Sequence, residues 1–208
     1  MIVYSVVNEL PEIEPVTLEE VKGHLEYYGT LKDSYIQTLI TASRRLCEGY
    51  AGLSLVTQER SIKLDRFPCS RYENGWKRFI EVPYGPVQYV ESFSYENEDG
   101  TTTTLTEGTD FRIDTHNRLA RIYPIETGEI DSWPSGVKDV LNPITITYVT
   151  GYDDVSGIPV PAEAKIAIMR LVARMFEDRG DSNNKWMIDE ATEDLLNPIR
   201  VTWNADAN

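Results

Sequence analysis

Three groups of residues in this chain bring chemistry-bearing side chains close together. Asp153-Asp154 are adjacent carboxylates after a Gly151-Tyr152 turn, the residue type that metal binding or acid–base work requires. Asp114-Thr115-His116 sets a carboxylate two residues from an imidazole, the pattern of an oriented general base. Cys47, Cys69, His24 and His116 carry the sulfur and nitrogen atoms that zinc takes. Each group also has a plainer reading. Aspartates after Gly-Tyr are ordinary turn residues, and Thr115-His116-Asn117 is a polar hairpin tip. The cysteines and histidines show none of the usual ligand spacings. There is no G-x-S-x-G, H-E-x-x-H, P-loop or G-x-G-x-x-G motif. The expectation is a protein that is not an enzyme and has no catalytic, metal or cofactor-binding residues. A small soluble hydrolase using Asp153, Asp154 or His116 stands as an alternative, and it needs those side chains to converge in one pocket.

Composition narrows the field. With 208 residues the chain can bury a core without staples, as one domain or one domain carrying a large insertion. The start, Met1-Ile2-Val3-Tyr4-Ser5, lacks the basic and apolar regions of a signal peptide, and no apolar run approaches the roughly 20 residues that span a bilayer. A cytosol-like compartment and no membrane partner are expected, with Cys47 a small buried hydrophobe and a Cys47–Cys69 disulfide disfavoured. The formal net charge is −14, and a surface of that sign repels phosphate. That weighs against a nucleic-acid-binding module, the other alternative.

The elements follow from period and punctuation. Thr17 and Glu20 form a capping box, followed by Leu18, Val21 and Leu25 at helical spacing up to Gly29. A second helix is predicted from Asp33 or Ser34, with Ile36, Leu39, Ile40, Ser43, Leu46, Cys47 and Tyr50 on one stripe and Gly52 just past its end. The short connection makes a helical hairpin over residues 1–54. Residues 55–152 then read as short strands: Gln58–Leu64, Phe79–Val82, Val87–Tyr95, Thr101–Leu105, Asp110–Asp114, Arg118–Tyr123 and Ile144–Thr150. Pro159-Val160-Pro161 sets up a long helix, about Ala162 to Arg179, with Ala164, Ile168, Leu171, Val172, Met175 and Phe176 on its apolar side, expected to pack on the Leu39/Ile40 stripe. Residues 153–180 thus complete a helical core, and 181–208 form a C-terminal extension: a polar break, a short helix near Asp189–Leu196 and an extended tail from Asn197. The fold class is α+β: an N-terminal helical hairpin and a long C-terminal helix as framework, an inserted small antiparallel sheet or barrel, and a tail.

Two readings stand for the basic clusters Arg44-Arg45 and Arg170/Arg174/Arg179. One is i,i+4 pairing with Glu48, and with Glu177 or Asp178, on exposed helix faces; the other is a subunit interface of arginine forks on carboxylates. Glu163 shares the polar face with Arg170 and Arg174. Trp76, Trp133, Trp186 and Trp203 lie in or beside loops and tail, and tryptophan favours protein contacts. Trp133 suits capping the core of the sheet, whereas Trp186 and Trp203 lie past the last strong helix and suit a partner.

The order of motifs resembles the head–tail connector family of tailed bacteriophages, the portal adaptors or head-completion proteins. Pro15-Val16-Thr17-Leu18-Glu19-Glu20-Val21-Lys22 is similar to that family's opening. So are Leu39–Arg45, Glu48–Gly52 and Leu55–Gln58, then Pro83–Val90, Ile146–Tyr152 and the Pro161–Arg179 helix. The resemblance implies a ring of about a dozen identical subunits closed by rotation, beneath the portal vertex of the capsid. It also implies that DNA passes through the ring's centre without specific binding, and that the chain is a virion neck protein made in the host bacterial cytoplasm. The implied partners are further copies of the chain, the portal protein and a tail or stopper protein. On this resemblance the candidate portal contacts are Trp186, Pro198, Ile199, Arg200, Val201 and Trp203, and the candidate subunit contacts are Arg44, Arg45, Glu163, Arg170 and Arg174. The tail is expected to serve attachment and to be dispensable for folding.

Overall fold

The computed structural model describes residues 5–9, 11–68, 79–116, 119–125, 133–153, 157–178 and 188–201. The chain divides into two compact units. The described strands fall in the first, which takes residue 5–9 and the stretch from 57 to 151. The described helices fall in the second, from 11 to 56 and from 152 to 201. The protein is α+β. Its strands form two antiparallel sheets, and no closed barrel is present among the described residues. None of the described helices is long and apolar enough to cross a membrane.

Among the described residues the first unit holds eight strands: β1 (Ser5–Glu9), β2 (Gln58–Leu64), β3 (Ile80–Val82), β4 (Val87–Glu96), β5 (Thr102–Leu105), β6 (Phe111–Asp114), β7 (Ala120–Pro124) and β8 (Ile144–Thr150). The larger sheet has the order β1-β2-β8-β4-β5, and the smaller β3-β7-β6. Alternation in β8 buries Ile144, Ile146, Tyr148 and Thr150, while the intervening residues are half-buried. Its register against β2 grades from apolar to polar: Leu64 opposes Ile144 and Ile62 opposes Ile146, whereas Arg60 opposes Tyr148 and Gln58 opposes Thr150. The apolar end joins one core with Phe93 and Tyr95 of β4, Phe111 of β6, and Ala120 and Ile122 of β7. Trp133 lies in that core, stacked on Phe67 with ring centres 5.1 Å apart, as its position beside the sheet predicts.

The polar end secures the Pro83–Pro86 turn. Pro83 O accepts the Tyr148 hydroxyl at 2.9 Å, so the Ser5 hydroxyl, 3.0 Å away, donates to Tyr148. Burial pushes the Tyr148 phenol well above its usual range. The Thr150 hydroxyl donates to Pro86 O at 2.8 Å, and Gln88 Nε2 donates to Thr57 Oγ1 and Gly151 O. The Arg60 guanidinium lies 3.9 Å from the centre of the Tyr84 ring.

β1 is absent from the sequence expectation, which placed the N-terminal segment with the helices. It is a five-residue edge strand with exposed Val6 and no turn signal beside it, too short for its period to speak. The remaining strands fall where their alternation placed them, within a residue or two at each end.

Among the described residues the second unit holds four helices: α1 (Leu18–His24), α2 (Asp33–Ala51), α3 (Ala162–Glu177) and α4 (Glu190–Leu196). The capping box is present at α1: Glu20 N–H donates to Thr17 Oγ1 at 3.1 Å, and Thr17 N–H donates to Glu20 Oε2. Thr17's hydrogen bonds hold the Glu20 carboxyl below the usual carboxylate range. α1 stops at His24, earlier than the apolar spacing up to Gly29 implied. Leu39 and Ile40 of α2 share a core with Ala164, Ala167, Ile168, Leu171 and Val172 of α3 and Leu196 of α4. Leu46, expected on the buried stripe, is exposed, because the buried face of α2 is rotated to take in Arg44 and Glu48. Gly52 ends α2 at φ 66, and a Cβ there would meet Val201 O at 2.4 Å.

Three outcomes follow. Replacing Ile168 by alanine, at 0% exposure, should cost about 2–5 kcal/mol in chemical unfolding. Gly52→Ala combines left-handed strain with a backbone clash and should cost at least about 1–2 kcal/mol. Burial, with the Glu48 charge adding to it, pushes the Cys47 thiol up to about 12. In a Cys69→Ser background Cys47 should therefore resist alkylation at pH 8 while folded and react fully once unfolded.

Candidate interaction surface

The charged residues of the helical unit divide into those turned inward and those left at the surface. Arg44 is turned inward, at 2% exposure. Its Nε donates to Glu14 Oε2 at 2.7 Å and its Nη1 to Glu48 Oε2 at 2.8 Å. Glu14 also accepts the Thr41 hydroxyl, and Glu48 Oε1 accepts Leu55 N–H at 2.8 Å. The i,i+4 pairing with Glu48 expected on an exposed face is thus inside the unit, and Arg44 is not placed to meet a neighbouring subunit. Its neighbour Arg45 is exposed.

Arg170 and Arg174 turn towards α4. Their guanidinium nitrogens lie 3.6 and 3.7 Å from Asp189 Oδ2, a partner the helix spacing did not reveal. Asp189 also caps α4, accepting Thr192 N–H at 2.9 Å. Hydrogen bonding by Thr192, and then the charges of Arg170 and Arg174, hold its carboxyl below the usual range. Both arginines and Asp189 keep a substantial part of their side chains in solvent, and Glu163 is exposed.

The segment after α4 is folded where the sequence suggested an extended tail. Asn197–Ile199 form a turn, and Val201 N–H donates to Ala51 O at 2.7 Å. Tyr50 donates its hydroxyl to Asn197 Oδ1 at 3.0 Å, and the Arg200 guanidinium lies 4.5 Å from the centre of the Tyr50 ring. Ile199 packs against the helical core and Val201 is half-buried, while Pro198 and Arg200 are exposed. Trp186 and Trp203 lie outside the described residues, as do Trp76, Cys69, Asp154 and Arg179.

The described candidates for catalysis are each held by local hydrogen bonds. His116 closes the β6 hairpin through its N–H to Asp114 Oδ1 at 3.0 Å, and its side chain is 97% exposed. Asp153 exchanges two backbone hydrogen bonds with Ile158 in a turn of the other unit. No cluster of metal-ligating side chains occurs among the described residues.

Large apolar side chains do reach solvent. In the helical unit Tyr28 and Leu31 stand out of the α1–α2 connection, and in the sheet unit Leu141 stands out of the loop before β8. The signal for Tyr28 and Leu31 was present as large apolar residues in a helix–helix connection beside Gly29 and Thr30, where polar residues are usual.

No family model matches this chain, and no curated protein matches its sequence. Its fold has solved counterparts. A chain of the neck of an empty gene transfer agent (GTA) particle computed with C6 symmetry superposes with a TM-score of 0.71 at 16% identity, covering 96% of this chain and 97% of that one. A chain of the virion of a native GTA particle gives 0.69 at 16% identity, covering 96% of each. A third, from the neck of a native GTA particle computed with C12 symmetry, gives 0.64 at 18% identity, covering 96% and 97%. This chain therefore has, over almost its whole length, the fold of a chain found in the necks of phage-like particles. The head–tail connector resemblance carried by the motif order points the same way.

Breaking the buried network should be expensive: Arg44→Ala leaves two carboxylates without their shared cation and should cost about 3–5 kcal/mol. Ending the chain after Leu196 removes the Ile199 and Val201 contacts and should cost about 1–3 kcal/mol in urea unfolding relative to ending it after Val201. Asp189 has a depressed carboxyl. Its contribution is complete above the unfolded-state carboxylate range and is lost as pH falls through the folded value. Asp189→Ala should accordingly lower stability at pH 7 and flatten its fall on acidification.

Proposed function

We propose that this chain is a structural adaptor of a tailed-phage-like neck, one subunit of a closed ring that joins the capsid portal to the tail and lets DNA pass. The observation that carries this reading is the fold match to neck chains over 96% of the sequence, taken together with the connector-like order of motifs. The C12 symmetry of one matched neck supports a ring of about twelve copies. The net charge of −14 suits a conduit, because an acidic wall does not hold phosphate. On this reading the role is structural and not enzymatic, and the protein is made in the host cytoplasm and works in the virion neck.

Within the ring, Arg45, Glu163, Arg170 and Arg174 supply subunit contacts, the two α3 arginines already oriented by Asp189. The exposed Pro198 and Arg200 of the docked C-terminal turn, with Ile199 and Val201 holding that turn in place, present a surface to the portal. Trp186 and Trp203 complete the proposed portal contact.

The test is assembly. The full chain, mixed with the portal protein from the same gene cluster and imaged by electron microscopy, should form a ring on the portal. Absence of any ring across assembly conditions would remove the reading. A monomer in isolation would leave it standing, since ring proteins can close on their partner.

A further inference from the structure

The α1–α2 connection displays Tyr28 at 90% and Leu31 at 99% exposure. The loop that carries them is fastened at both ends. Tyr27 N–H donates to Lys22 O at 3.0 Å and Glu26 N–H to Gly23 O at 3.2 Å, a helix-ending motif with Glu26 in the left-handed conformation at φ 51. Asp33 N–H donates to Thr30 O, and the Lys22–Asp33 ion pair, at 2.8 Å, joins the end of α1 to the start of α2. Beneath the tip, the Lys32 ammonium lies 4.6 Å from the centre of the Phe176 ring and 5.3 Å from that of Tyr27. Tyr27 and Tyr35 both pack on Phe176. An aromatic and an aliphatic side chain on a fixed tip lose little freedom on binding, and they contribute nothing to the core beneath them.

The charge balance selects the occupant. Copies of a chain with net charge −14 repel one another, and carboxylate-to-carboxylate contact is costly. Over residues 22–33 the formal charges cancel, Lys22 and Lys32 against Glu26 and Asp33, and Lys22 is paired with Asp33. A basic partner would be drawn by carboxylates. A neutral apolar tip is the surface through which an equally acidic chain can be met. We infer that Tyr28 and Leu31 are an apolar anchor that seats against a second copy of this chain, head to tail, with the tip of one copy on a different surface of the next. This rests on the ring reading and adds to it a contact outside the arginine and carboxylate pattern.

Two measurements on the full chain test it. In the first, wild type and Leu31→Asp are assembled side by side, with the portal protein where the chain needs it. Rings of wild type, and their loss or an at least tenfold weaker self-association in a variant that melts like wild type, support the anchor. Rings from both overturn the anchor and leave the ring reading intact. Rings from neither remove the ring reading and the anchor with it. In the second, p-benzoylphenylalanine is placed at position 31 and photolysed in the assembled sample. An adduct of twice the chain mass supports contact between copies. An adduct to the portal or another chain, or none at all, overturns it.

Discussion

The interaction on which the helical unit turns is the buried ion network around Arg44. One guanidinium, closed off from water, is shared by Glu14 and Glu48, and Glu48 uses its second oxygen to hold Leu55 N–H. A charge so placed tolerates few arrangements, because any motion that separates it from its carboxylates leaves them buried and unpaired. The residues it fixes are telling. Glu14 belongs to the stretch by which the chain enters this unit, and Leu55 to the stretch by which it leaves. Val201, near the unit's end, bonds to Ala51 in the last turn of the same helix. The C-terminal half of α2 is thus where entering and leaving stretches of chain are gathered, two of them by Arg44 and Glu48 and one by the Ala51 carbonyl.

The sheet unit uses its polar groups in a similar way. The inward face of β2 and β8 begins as ordinary hydrophobic core and ends in Gln58, Arg60, Tyr148 and Thr150, of which Arg60, Tyr148 and Thr150 engage the Pro83–Pro86 turn. Tyr148, Thr150 and Glu48, all buried, hold backbone groups in place. The charged groups left outside, together with a few large apolar side chains on anchored loops, are what it has for meeting other molecules.

Much of this was legible in the sequence. The capping box, the Leu39/Ile40 and Ile168/Leu171/Val172 stripes and the alternation of Ile144–Thr150 each rest on a period or a local hydrogen bond, which neighbouring residues determine. What escaped depends on partners distant in the chain. Ser5–Glu9 becomes a strand because β2 lies ready to pair with it. Arg44 looked like a surface residue because the contribution of Glu14, thirty residues earlier, cannot be read from helix spacing. Arg170 and Arg174 reach Asp189 across a segment with no pattern of its own. The C-terminal turn looked extended because its fold depends on the end of α2, with Gly52 leaving room for the Val201 carbonyl.

The division of each unit along the chain has a consequence for the order in which the protein is made. The described strands of the sheet unit have all been synthesised once β8 has, and they can pair while the remaining quarter of the chain is still being added. The helical unit has to wait. Its first two helices emerge early, but the apolar face of α2 finds its cover in α3 and α4, which are translated last. During that interval a stripe of leucine and isoleucine is open to other nascent chains. The newborn protein is therefore at its most adhesive in α2, and translation past Leu196 is what closes that window.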